Sequence, residues 1–590
     1  MSPRTRDRIL SVDLTTETVE RERVPERWLR RYLGGKGVGA RYLYDRLDAG
    51  TEPLGPANLL AVMVGPLSGY LPGEPRYAIV TKSPLTGGFL DSYSGGAFAD
   101  QFAGALGDCL GVLVTGQAER PVRLVVSDGA CRIEPADTWG MDTVETARAF
   151  PDAAVACIGP AGEQTVAYAT VASDAGDHQA GRGGAGAVMG AKRLKAIVAR
   201  GEPPTPGPTL QDLTERYEQA YADHGTGQWQ AAGGTVESVD FANEIGALAT
   251  RGWQQSQFDE IEGVGIEAAG EAAAGRESGT VPGDFRFETD DGEVVLRGAG
   301  PMVLGAGLGI DDIEAVARLA ESCDRFGVDL IEVGNAVAWA IRADEAGVGD
   351  CPASFGDVPG VERLIETIAT RRGASEPHED EIPAELAAAL ADGIDEAAAR
   401  FGGADLVPTV KSMALPAYDP RGAAGMALAY ATSDRGPCHR RARPVEEPTD
   451  RPLLETVRIV VGEQTVRSVL WSLIVDDFVG ETMWEDLGSE FLAAIDRPYT
   501  PEELTAAGER IWTLTRLFNA REGFDRSDDR IPASVRPDDG TANESAFDRM
   551  LDAYYRARGW GSDGVPTRET VERLDLLDVV DDETPLGEPW

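Results

Sequence analysis

The residues best placed to do chemistry are gathered in Gln179-Ala180-Gly181-Arg182-Gly183-Gly184-Ala185-Gly186-Ala187-Val188-Met189-Gly190, five glycines around one arginine. Glycine backbones reach conformations that other residues resist, consecutive N–H groups can form a concave nest for an anion, and Arg182 adds a cationic fork. The run suits a grip on an anionic cofactor, and equally a plain tight turn. It is not a P-loop, because no Gly-Lys-Ser/Thr closes it. Gly181, Gly183 and Gly186 satisfy G-x-G-x-x-G only because the run is so rich in glycine, and no apolar strand leads into it as a dinucleotide fold requires. A second candidate is His439, one of four histidines in the chain, set in Arg435-Gly436-Pro437-Cys438-His439-Arg440-Arg441. A histidine there can serve in acid–base chemistry or simply as a satisfied hydrogen-bonding group. The six cysteines are scattered with no C-x-x-C pair, so neither a disulfide framework nor a local metal knuckle is visible.

The elements that must carry these residues change period along the chain. Residues 9–14 and 19–24 alternate apolar and polar positions around Thr15-Thr16-Glu17 and predict a β-hairpin; 59–64, 77–81, 110–114, 122–126, 131–133 and 166–171 predict further strands. The Pro/Gly-rich stretch 201–208 can sustain neither a helix nor a central strand and marks a boundary. Beyond it Ile313, Val316, Ala317, Ala320 and Cys323 recur at helical spacing, with Asp311 or Asp312 placed to cap and Gly327 to stop. Residues 330–346, 383–400 and 501–518 predict more helices, a polar stretch covers 374–381, Phe401-Gly402-Gly403-Ala404 marks a second boundary, and 525–543 is irregular and acidic. The expected fold class is α+β: a β-rich domain over 1–205, then two mainly helical domains over 206–403 and 404–590.

At 590 residues and 42% hydrophobic content the chain can bury several cores. Its formal charge of −44 comes from 99 acidic against 55 basic residues, only five of them lysine. So negative a surface repels phosphate backbones, which excludes nucleic acid as a partner, and it suits a protein kept hydrated in a halophilic cytoplasm. The N-terminus is polar with no following apolar stretch, and no run approaches the ~18 apolar residues of a membrane span. A cytoplasmic protein is expected.

Taken in order, several blocks resemble the aldehyde ferredoxin oxidoreductase family. They are Leu33-Gly34-Gly35-Lys36-Gly37-Val38, the run from Arg76 to Gly87, Ser94-Gly95-Gly96, the glycine–arginine run on to Ile197, Asp324-Arg325-Phe326-Gly327-Val328-Asp329, Leu415 to Gly422, Ala429 to His439, and Gly508 to Phe524. The resemblance covers essentially the whole chain. It implies a β-rich base for two pterins that hold one tungsten or molybdenum through dithiolene sulfurs, with no protein ligand to the metal, and two helical domains above it. The cofactor contacts it implies are Arg76, Gly95, Arg182 and Gly183 from the first domain and Asp324, Val328, Asp329, Arg435 and Arg441 from the helical ones. It also allows a magnesium ion. Arginine forks suit pterin phosphates and carboxylates suit the N–H-rich pterin edge, while for Asp324 and Asp329 the competing role is helix capping. His439 matches a family histidine near the metal and is the implied catalytic residue. Tyr418 and Asp419 fall in another block and either shape the pocket or form a turn between Pro416 and Pro420.

The chain departs from the family at the iron–sulfur cluster, whose C-x-x-C-x-x-x-C should fall within 261–283 and whose fourth cysteine falls near Ser472. No cysteine lies between Cys157 and Cys323 or after Cys438, and a 4Fe-4S cubane needs thiolates around it, so the cluster is expected to be absent. Within Val295-Leu296-Arg297-Gly298-Ala299, Ala299 stands where the family carries a glutamate at the metal, and an alanine moves no proton. Tyr93 replaces a family asparagine, and a family aspartate falls on Arg467 or Ser468. Two functions follow: an oxidoreductase that converts an aldehyde-like substrate to its acid and passes electrons to ferredoxin or another acceptor, or a non-redox pterin-binding pseudoenzyme. Assembly as a homo-oligomer or with an active paralogue suits either.

Overall fold

The computed structural model describes residues 6–279, 281–290, 292–374, 381–443, 451–536 and 546–590. Its first third is built on two six-stranded sheets. In one the order is Thr18–Arg23, Arg8–Asp13, Cys109–Thr115, Leu60–Met63, Arg76–Lys82, Phe89–Gly95, antiparallel except where Arg8–Asp13 runs parallel to Cys109–Thr115. In the other the order is His178–Ala180, Val171–Ser173, Ala154–Cys157, Leu194–Arg200, Val122–Ser127, Ala130–Pro135. The two-residue period of the strands explains how the first sheet is buried on both faces. Leu10, Val12, Leu60, Val62, Ile79 and Val112 point into a core shared with the second sheet, while Ile9, Ala61, Met63, Ala78 and Val80 point the other way. That outer face is covered by helix Gly35–Arg46 and by Pro501–Arg521, which returns from the far end of the chain to place Ile511, Leu514 and Phe518 against it.

Helical spacing gives what it predicts in Ile313–Phe326. Asp312 accepts hydrogen bonds from the Glu314 and Ala315 N–H groups at 3.0 and 3.2 Å, and Gly327 ends the helix at φ +66°. Leu330–Glu345 follows at once, capped by Asp329. The expected hairpin forms as Arg8–Asp13 and Thr18–Arg23. Residues 201–207 carry neither helix nor strand, and helix Pro208–Asp223 begins directly after them.

Three elements differ from expectation. The predicted helix 383–400 is two, Ala384–Asp392 and Ile394–Phe401, broken at Gly393 with φ +121°. There the Ala391 carbonyl accepts from Ala167 N and the Leu390 carbonyl from Tyr168 Oη, both at 2.8 Å, the latter in addition to the closing bond from Gly393 N at 3.2 Å. The apolar run 166–171 supplies those donors and is mostly irregular, with a turn at 167–168, an isolated bridge at Ala169 and strand structure only from Val171; its hydrophobicity serves burial between regions. The middle region is mainly helical as expected, but adds one feature the sequence did not predict: Gly275–Arg276, Phe285–Glu288 and Glu293–Leu296 form a small antiparallel sheet. Most of the polar stretch 374–381, and 537–543 of the acidic one, lie outside the described residues. The largest core joins Val316, Trp339 and Leu390 to Leu415, Tyr430 and Trp512, so the residues on either side of 403 are packed as one body. Among the described residues no helix is long and apolar enough to cross a membrane.

Candidate active site

A cavity of about 690 Å³ opens where the β-rich region meets both helical ones. Arg76, Gly95, Arg182, Asp324, Val328, Asp329, Arg435, His439 and Arg441 all line it. Gly183 does not; with φ +78° and Leu90 Cδ1 2.6 Å from where a Cβ would sit, it serves the turn.

Strand pairing sets Arg76 directly opposite Gly95. The Arg76 guanidinium lies 2.7 Å from both Glu74 and Asp476, and a side chain at Gly95 would run into the Glu74 carboxylate. The glycine–arginine run leaves strand His178–Ala180, turns through Arg182 (φ +67°), Gly183 and Gly184 (φ +86°), and enters helix Ala185–Ala191. A Cβ on Gly184 would collide with the Ala167 carbonyl, so the turn presses against the buried 166–170 segment. Arg182 reaches across the junction of all three regions: its Nε is 3.1 Å from Asp329 Oδ2, its Nη2 is 3.5 Å from Glu332 Oε2, and the same nitrogen donates to the Ala414 carbonyl.

That segment also fixes the pair of aspartates. Thr170 N donates to the Gly327 carbonyl at 2.9 Å, Asp329 N donates to the Tyr168 carbonyl at 3.1 Å, and Ala169 bridges Val328. Asp329 accepts from Ile331 N at 3.1 Å, so it caps a helix and lines the cavity at once. Burial pushes the Asp324 carboxyl up to about 8 against the pull of Arg297, and raises Asp329 despite Arg182. Glu332, which sequence reasoning missed, is likewise lifted by burial to about 8 while accepting from Ala414 N at 3.1 Å.

The opposite wall is a buried charge network. Lys36 sits 3.0 Å from Asp91 and 2.5 Å from Asp434, and Arg441 pairs with both carboxylates. Burial would raise Asp91, but Arg441, Lys36 and Arg435 hold it below the usual carboxylate range. Arg441 stacks 4.3 Å over Trp471, and Trp471 stacks on Tyr93 at 5.2 Å. Arg435 donates to the Asp91 carbonyl at 2.6 Å and to Cys438 Sγ at 3.1 Å. Burial alone would raise the Cys438 thiol, yet Arg435 and Arg441 overcome it and bring it to about 6. His439, whose ring lies 5.6 Å from that of Tyr418, is driven well below its ordinary value by burial and then by Arg440, Arg443, Arg182 and Arg435. It is therefore a neutral imidazole at physiological pH, and its Nδ1 is buried without a hydrogen-bond partner among the described residues.

The positions of departure are also located. Ala299 lines the cavity beside Arg297. Arg467 lines it, while Ser468 turns inward to donate to the Gln464 carbonyl at 2.8 Å. Ser472 is buried in its helix, donating to Ser468 O at 2.6 Å and accepting from Gly37 N at 3.1 Å. Tyr418 is on the wall, whereas Asp419 lies beneath it, capping Arg421 N at 2.9 Å. Sequence reasoning also missed the cluster of Glu74, His178, Arg297 and Glu277. His178 Nδ1 is 3.1 Å from Glu74 and Arg297 is 3.2 Å from Glu277; no motif marks them, because strand pairing and the small sheet bring them together.

Comparison with known proteins decides the affiliation. The model of the N-terminal domain of aldehyde ferredoxin oxidoreductase matches residues 9–201, and that of its domains 2 and 3 matches 212–576. The chain belongs to the aldehyde ferredoxin oxidoreductase family. It is 32% identical to the tungsten-containing aldehyde ferredoxin oxidoreductase of Pyrococcus abyssi, over 97% of this chain and 99% of that protein. It is 26% identical to the WOR-like subunit of the aliphatic sulfonate oxidoreductase of Pyrococcus furiosus, over 96% of each. Among solved structures, the active-site complex BamBC of benzoyl coenzyme A reductase superposes with a TM-score of 0.83 over 98% of each chain; at 22% identity that likeness shows the fold. As a family member the chain is an oxidoreductase with full-length tungsten-containing relatives.

The walls fit a large, polar, anionic cofactor. Two buried polar atoms with no hydrogen-bond partner among the described residues, His439 Nδ1 and Arg435 Nε, belong to cavity-lining side chains. The volume lies within the range of cofactor pockets.

Proposed function

We propose that this chain binds a tungsten or molybdenum bis-pterin in the inter-domain cavity and oxidises an aldehyde-like substrate to the carboxylic acid, without a resident 4Fe-4S cluster. The observation that carries the reading is the convergence of Arg76, Arg182, Asp329, Arg435, Arg441 and His439, from all three regions, on one cavity. When bound, the metal–pterin group supplies the acceptor for the two electrons released as aldehyde and water become carboxylate.

The chain's own residues orient and exclude. Arg76, Arg182 and Arg441 are held by carboxylates, so they present donors at fixed positions with no reorganisation on binding. His439, kept neutral by burial and then by its cationic neighbours, can donate a hydrogen bond from one ring nitrogen to a substrate oxygen and accept one on the other. Asp324, with its carboxyl near 8, is mainly protonated at neutral pH and can also donate. With Ala299 on the wall, no carboxylate at that position shares the proton work.

Cluster loss rests on the sequence, which offers no sulfur ligand within 261–283 or near Ser472. Electrons then leave to ferredoxin or another acceptor without passing through a resident cluster. The test is metal analysis of protein made in a host that assembles the cofactor, followed by single-turnover reduction with a panel of aldehydes. Tungsten or molybdenum near one per chain, iron well under one per tungsten and substrate-dependent metal reduction are expected. About four irons per tungsten would refute the cluster loss; bound cofactor that no aldehyde reduces would favour the pterin-binding alternative that Ala299 suggests.

A further inference from the structure

Arg467 is a cation on the cavity wall that has no close partner among the described residues. It lies on helix Leu453–Leu473, is 5% exposed, and makes no hydrogen bond among the described residues. Its ion pair with Glu463, one turn earlier, is long at 3.9 Å, and Glu463 already accepts from Arg443 N at 2.8 Å. By contrast Arg76, Arg182, Arg440, Arg441 and Arg443 each have a carboxylate within 3.2 Å.

Burying a guanidinium is costly unless it is paired. Trp484 covers it, with the guanidinium carbon 5.7 Å from the ring centroid, and contributes a cation–π attraction that falls short of a carboxylate's. The charges around it are mixed: burial disfavours the Arg467 cation, Glu463 supports it from a distance, Arg443 opposes it with like charge, and Glu481 and Cys438 support it more weakly, while four arginines depress His439 on the same wall. A planar guanidinium with free N–H groups is built to receive an oxoanion in a bidentate pair.

We propose that Arg467 receives an anionic group, a carboxylate or phosphate, of the substrate that enters the cavity, so that the substrates are aldehydes carrying an acid group remote from the carbonyl. The assignment of that anion to a substrate rests on the aldehyde-oxidising reading above; the anion site itself rests on the geometry of Arg467.

The test has two arms on the purified full-length protein, with R467M and with R467K as the charge-retaining control. In the first, calorimetry measures binding of succinate, of inorganic phosphate and of neutral succinamide. Wild type is expected to bind one of the anions and not the amide, R467M to bind it on the order of 10- to 100-fold more weakly, and R467K to fall between. In the second, the ratio of kcat/KM for succinate semialdehyde to that for butanal is measured with tungsten content; R467M is expected to lower the ratio by a similar factor at equal tungsten per chain. Equal anion binding by wild type and R467M would overturn the site. Tungsten lost from R467M while its anion binding matches wild type would assign the arginine to the cofactor and overturn the proposal. If the first arm succeeds and neither aldehyde is oxidised, the aldehyde reading fails and the anion site stands.

Discussion

Arg182→Met tests whether the glycine–arginine run works as a clamp between regions. Arg182 faces two buried carboxylates, Asp329 at 3.1 Å and Glu332 at 3.5 Å. Glu332 has its carboxyl near 8 and is mostly protonated at pH 7, so the charge stranded by the substitution is that of Asp329. An unpaired buried carboxylate costs about 3–5 kcal/mol. Taking up a proton limits this, because burial already raises the Asp329 carboxyl in the wild type, so part of the cost of protonating it at pH 7 is present before the substitution. R182M is therefore expected to lose about 1–3 kcal/mol. R182M/D329N should recover a large part of that loss, because it leaves no buried charge without its partner. The assay is urea denaturation followed by tryptophan fluorescence, with both single variants and the double completing a thermodynamic cycle. The reasoning is wrong if R182M lies within about 0.5 kcal/mol of wild type, or if the single costs simply add.

Glu332 gives a pH test with a definite sign. Its folded value near 8 lies above that of a free carboxylate, so its contribution to stability is complete below about pH 4 and is lost as pH rises through about 8. E332Q should flatten the fall in the denaturation midpoint between pH 5 and 8. Cys438 should ionise near pH 6, giving a 240 nm absorbance step that C438S abolishes and that R435M moves to higher pH, because burial then acts with less opposition. In the loaded enzyme, H439A should lower kcat by about 10²-fold or more. The wild-type kcat profile should show no histidine inflection between pH 6 and 8, because the ring's ordinary value is pushed well below that window.

Much of the fold was legible along the chain because its cause is local. The period-two runs that became the first sheet, the Asp312 cap and the Gly327 stop each depend on residues within a few positions of one another. The elements that went astray respond to distant partners. Residues 166–171 have a strand's hydrophobicity but spend it on contacts with Gly327, Val328 and the helix ending at Asp392, and that same docking accompanies the break at Gly393.

At the site, sequence by itself determined which residue types were available: the arginines, Asp324 and Asp329, His439, and the want of cysteines where a cluster would need them. It could not determine which charges would be spent. Only the tertiary structure set Glu74 and Asp476 against Arg76, Asp329 against Arg182, and Asp91 and Asp434 against Arg441, while leaving Arg467 without a close partner among the described residues. The physical reason is that electrostatics and desolvation depend on separations across the folded interior, and partners hundreds of residues apart in the chain leave no mark in its local pattern.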